Sequence, residues 1–82
     1  MKIAEKLNIP TDITDGSSIL TITGKHELYI ENYKGVILYE KNCIKIQTKH
    51  GRIIFSGKNL EIKYYTTTDM KITGELASVC WC

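Results

Sequence analysis

Cys80 and Cys82 stand two residues apart on either side of Trp81. On a strand their sulfurs point the same way. Together with His26 or His50 they make the kind of thiolate–imidazole donor set that holds zinc. Structural zinc sites, however, more often carry two cysteine pairs, or a cysteine pair and a histidine pair, at loop spacing. The pattern here reads better as two small apolar side chains facing inward with Trp81 packed on the opposite side. Cys43 with a histidine has the composition of a thiol nucleophile and its base. Yet Cys43 begins a strand in the slot that Leu60 fills one repeat later, a core position, and both histidines fall in turn segments. Glu27 and Glu31 share a strand face roughly 13 Å apart, beyond the carboxyl separation of a glycosidase. Asp69 closes a threonine run and suits turn chemistry. There is no nucleophile elbow, phosphate loop or dinucleotide fingerprint. These residues predict a protein that is not an enzyme, with no catalytic, cofactor-binding or metal-binding set.

The aromatic residues are the better candidates. Tyr29, Tyr33, Tyr39, Tyr64, Tyr65 and Trp81 are spread over several strands. Tyr29 and Tyr65 fall on the otherwise polar faces of theirs, and Trp81 sits in an uncharged terminal run. Tyrosine and tryptophan carry an apolar body and a polar tip and are enriched at interfaces. Tyr29, Tyr65 and Trp81 are therefore the candidate interaction surface, against the alternative of cross-strand packing within one sheet.

Bulk properties bound the remaining options. Eighty-two residues make one domain at most, and a domain of this size is marginal enough that self-association is a common remedy. The net charge of +2 comes from interleaved Lys and Glu, a solvated surface and not the basic groove of a nucleic-acid binder. Frequent Ile and Lys with a single Arg52 suit an AT-rich bacterial genome. An odd cysteine count without a signal peptide predicts reduced thiols and a cytoplasmic location. No run approaches membrane-spanning length. Residues 1–18 read as an N-terminal extension: Ile3 and Leu7 are four apart, as in a short helix, Pro10 would end it, and Asp15-Gly16-Ser17-Ser18 forms a turn.

From Gly24 onward, turn signals recur about every eight residues and separate runs that alternate apolar and polar. Ile22-Thr23-Gly24-Lys25, Phe55-Ser56-Gly57-Lys58 and Ile72-Thr73-Gly74-Glu75 repeat one signature. Residues 19–82 thus predict an all-β domain of about eight short antiparallel strands in a curled meander. The same repeat, at about 17 residues, also fits a short β-solenoid. Leu28 and Ile30, then Ile44, Ile46 and Thr48, then Leu60, Ile62 and Tyr64 mark dry faces. Val36-Ile37-Leu38-Tyr39 and Ile53-Ile54-Phe55 are apolar on both faces, as in central or covered strands. Lys49-His50-Gly51-Arg52 and Asn32-Tyr33-Lys34-Gly35 read as hairpin loops.

The order and spacing of three segments carry a resemblance over about three quarters of the chain. They are His26-Glu27-Leu28-Tyr29-Ile30-Glu31-Asn32-Tyr33-Lys34-Gly35, the run from Thr48-Lys49-His50-Gly51 through Ile53-Ile54-Phe55-Ser56-Gly57-Lys58-Asn59-Leu60-Glu61-Ile62, and Ile72-Thr73-Gly74-Glu75-Leu76. They resemble the YabP/YqfC sporulation proteins, with Leu28-Tyr29-Ile30-Glu31-Asn32 most similar to the YqfC branch. The resemblance implies a non-enzymatic protein of the mother cell in an endospore-forming member of the Firmicutes. It implies no cofactor, and a YqfD-like membrane protein as partner. Cys80-Trp81-Cys82 departs from the family's apolar and acidic finish. Cys80, Cys82 and the histidines leave an alternative reading as a small ligand- or metal-binding β module.

Overall fold

The computed structural model describes residues 16–82. The helix read from Ile3 and Leu7 lies outside them. Six strands follow in order: β1 Ile19–Thr23, β2 Glu27–Glu31, β3 Gly35–Glu40, β4 Cys43–Thr48, β5 Gly51–Tyr65 and β6 Asp69–Trp81. All neighbours are antiparallel, in the order β1-β2-β6-β5-β4-β3. The all-β antiparallel expectation holds, and direct pairing of adjacent strands leaves no solenoid coil.

The eight expected runs merge into six strands because two glycine signals bend the chain without reversing it. Gly24 takes φ +57° and makes a true turn between β1 and β2. Gly57 and Gly74 instead lie inside β5 and β6, where the two long strands cross most closely. A Cβ on Gly57 would collide with the Glu75 carbonyl, and one on Gly74 would stand 2.6 Å from the Asn59 carbonyl oxygen. Only glycine permits that approach.

Bulges at this bend decide which side chains face inward. Lys58 pairs with Glu75 and Glu61 with Thr73, so Asn59 and Leu60 together oppose Gly74, and Asn59 takes φ +54°. An extra residue reverses the alternation downstream. The buried set on β5 accordingly moves from Ile53 and Phe55 to Leu60. On β6, Ala77 is the extra residue, and the inward set moves from Met70 and Ile72 to Val79.

Each long strand thereby serves two half-sheets. One holds β3, β4, the first half of β5 and the end of β6. The other holds β1, β2, the start of β6 and the far half of β5. Leu28 and Ile30 from β2 share one cluster with Ile44 and Ile46 from β4, all almost wholly buried, although β6 and β5 separate them in the sheet. That requires the sheet to fold over on itself as a two-layer sandwich.

Three local expectations change. Asn32-Tyr33-Lys34-Gly35 does not close a hairpin. It crosses between the layers, with the Asn32 and Tyr33 amides donating to the Thr68 carbonyl and the Lys34 amide to that of Gln47. The positive φ falls on Asn32. Lys49-His50-Gly51-Arg52 is a hairpin loop as expected, with Gly51 at φ +131°. Second, β3 is an edge strand and not a covered one, whereas Ile53-Ile54-Phe55 is central. Third, Cys43 sits opposite Glu40 and Ser56, on the face of β4 away from the core, while Ile44, Ile46 and Thr48 point in.

Candidate functional site: an open seam between β3 and β5

The sandwich is not closed along one side. β4 pairs with β5 only as far as Ser56, so the far half of β5, Glu61 to Tyr65, is laddered to β6 alone. In the other layer β3 pairs only with β4. The two free edges lie on opposite layers and face one another across an open seam.

Inward-facing side chains show at this opening. Val36 lies opposite buried Ile46 and Tyr39 opposite buried Ile44, so both belong to the core face. They are three residues apart because Ile37 is bulged. Both are nevertheless close to half exposed, at 44% and 49%. From β5, Ile62 pairs with Ile72 and Tyr65 with Met70, again the core face. These residues, with Tyr33 and Gly35, line a groove of about 410 Å³. No lining residue is charged. Tyr39 also borders a second groove of about 490 Å³ toward Lys41 and Glu61.

Two hydroxyls tie the seam down. The Tyr39 hydroxyl accepts the backbone N–H of Ile62 at 3.0 Å. Buried Tyr33 donates to the Thr66 carbonyl, and burial pushes its phenol above the ordinary value, with Tyr65 and Asp69 adding to the shift.

The candidate aromatic residues occupy three separate surfaces. Tyr65 is on the core face and lines the seam, since the extra residue Lys63 exchanges the expected places of Tyr64 and Tyr65. Tyr29 is on the polar face, as expected, opposite Lys71. Its hydroxyl donates to Asp69 Oδ2 at 2.9 Å. That hydrogen bond is the main cause of its raised pKa, followed by desolvation and the negative charge of Asp69. Glu31 stands directly opposite Asp69, a like-charge pair that the Tyr29 hydroxyl offsets. The same face carries the Lys71–Glu27 and Lys63–Glu61 ion pairs. Trp81 faces the core side opposite Ile53 but stands 63% exposed at the free end of β6. Cys80, opposite Ile54, points to the other face, so the expected inward cysteines and outward tryptophan are reversed. The Ala77 bulge causes this.

The sequence names Tyr33 and Tyr39 among the aromatic residues, Ile62 on a dry face and Val36 in a doubly apolar run, but places none of the four at an interaction surface. β3 has no internal sign of being an edge, and its neighbours follow from a crossover that no local pattern marks. Among the described residues no three of His, Cys, Asp or Glu gather to hold a metal, and no helix is long and apolar enough to cross a membrane. What the seam offers is aromatic and aliphatic surface beside unpaired strand backbone, the elements of recognition by strand addition.

Fold and seam together define a small all-β domain with a free apolar edge. The YabP family model matches residues 14–81, and the chain belongs to that family. It is similar to the protein named "Uncharacterized protein YqfC" of Bacillus subtilis (strain 168), with 31% identity over 74 residues, covering 90% of this chain and 80% of the relative. No solved structure matches it.

Proposed function

We propose that the chain is a non-enzymatic sporulation protein of the mother cell, acting as an adaptor that docks a membrane protein of the YqfD-like class. Family membership supports the sporulation setting. The observation that carries the adaptor role is the uncharged seam, where core-face residues Val36, Tyr39 and Tyr65 stand exposed beside free strand edges. A soluble domain this small leaves such a surface open at a cost in stability and aggregation resistance. A partner that covers it repays that cost. Deleting the gene in its endospore-forming host should lower the frequency of heat-resistant spores, and the tagged protein should co-purify a membrane protein from sporulating cells. Normal spore frequency in the deletion strain would sink the reading.

A further inference from the structure

We infer that the β3 edge is a homodimer interface, at which two copies of this chain pair antiparallel about a two-fold axis and close each other's seams.

The first argument is how little protects the edge. Free strands are normally blunted by lysine, proline, charge or a β-bulge. Gly35 to Glu40 has no lysine or proline, its one charge is Glu40 at the strand's end, and a single bulge at Ile37 remains. Ile37 is bulged and 47% exposed, so the bulge adds apolar surface at the edge.

The second argument is self-complementarity of the faces. A strand addition must match core face to core face. On β3 the core-face residues are Val36 and Tyr39. Antiparallel pairing of two β3 strands satisfies the rule when Val36 of one copy lies opposite Tyr39 of the other. Two-fold symmetry then produces the same contact twice, an aromatic against a β-branched side chain, which is a favourable cross-strand pair. The two half-sheets become one continuous layer. Tyr65 and Ile62 from both copies lie over the junction, so the two grooves merge into one shared apolar core.

The third argument is area. Covering the exposed parts of Val36, Ile37, Tyr39 and Tyr65 in both copies removes on the order of 800 Å² from water, taking about 200 Å² for a whole aromatic side chain. The two strand backbones raise this to roughly 1,000–1,200 Å², the lower end for a specific interface. An interface of that size belongs with weak, reversible associations.

The test is analytical ultracentrifugation of the full chain under reducing conditions, from about 1 μM to about 1 mM. It compares the parent with Ile37→Lys and with Thr21→Lys, the latter on the other sheet edge, β1. The inference expects a concentration-dependent dimer in the parent, association weakened more than about tenfold by Ile37→Lys, and no change in Thr21→Lys. A parent that stays monomeric throughout, a dimer that survives Ile37→Lys, or one dissolved by Thr21→Lys overturns it. If Ile37→Lys fails to fold, amide exchange on the parent decides the question. Protection of Val36 to Tyr39 that rises with concentration supports the dimer, and protection that does not change refutes it. The second copy and the membrane partner of the proposed function compete for the same seam, so the reversible dimer is the state of the free protein. A monomer with a sporulation role, or a dimer without one, separates the two readings.

Discussion

The Tyr39 side chain crosses the open side of the sandwich, and its hydroxyl accepts the Ile62 backbone N–H at 3.0 Å. One residue is on the edge of one layer and the other on the edge of the opposite layer. This contact links the layers where no strand ladder does. Tyr39→Phe removes the acceptor and leaves the Ile62 amide to solvent. We predict a loss of about 0.5–1.5 kcal/mol, typical of one hydrogen bond, measured by urea denaturation. In native-state amide exchange the Ile62 amide should exchange faster, while those of Ile44 and Ile46 keep their protection.

The bend of β5 and β6 depends on backbones meeting at Gly57 and Gly74. At Gly74, φ +136° adds strain for any L side chain. Gly74→Ala should destabilise more than Gly35→Ala, because at Gly35 an added Cβ meets nothing within 4 Å and no positive φ is required. Thermal unfolding of the two variants checks this. Equal melting temperatures would contradict the account of the bend.

Core truncation should be severe in both layers. Phe55 is fully buried at the first half of β5, and Ile30 is fully buried on β2. Phe55→Ala and Ile30→Ala should each cost about 2–5 kcal/mol. A small domain has little more stability than that, so both should be largely unfolded at 37 °C by circular dichroism. If only one of the two unfolds, the layers do not share a single core.

Alkaline pH should destabilise the fold through tyrosine. Tyr33 is raised first by burial, and Tyr29 first by its hydrogen bond to Asp69. Each folded-state phenol holds its proton at a pH where the unfolded chain, titrating near 10, has begun to lose it. Their contribution is therefore complete below about pH 10 and is lost as pH rises through the folded-state values. Tyr33→Phe should flatten this alkaline decline in melting temperature. An unchanged slope would show that Tyr33 titrates alike in both states.

Period-two patterning was enough to read the core faces of β2 and β4, since Leu28, Ile30, Ile44, Ile46 and Thr48 all point inward as the alternation requires. The turns at Gly24 and Gly51 were equally local and equally legible. What alternation could not reveal is where a strand carries an extra residue. At Asn59 the run Ser56-Gly57-Lys58-Asn59 marks a turn, not an extra residue within a strand. Lys63 and Ala77 have no polar run to mark them, so Tyr65 and Trp81 face the core side and Cys80 does not. The seam was hidden for a different reason. Val36-Ile37-Leu38-Tyr39 has the composition of a central strand, and only the crossing at Asn32 to Lys34 places it on the edge.

The central claim is that the uncharged seam beside β3 is the working surface of this YabP-family protein. Complementation of the deletion strain tests it most directly, with heat-resistant spores counted for the parent, Ile37→Lys and Thr21→Lys and protein levels matched by immunoblot. The claim predicts that Thr21→Lys restores spore frequency and Ile37→Lys does not. Full restoration by Ile37→Lys, at parental protein level, would contradict it.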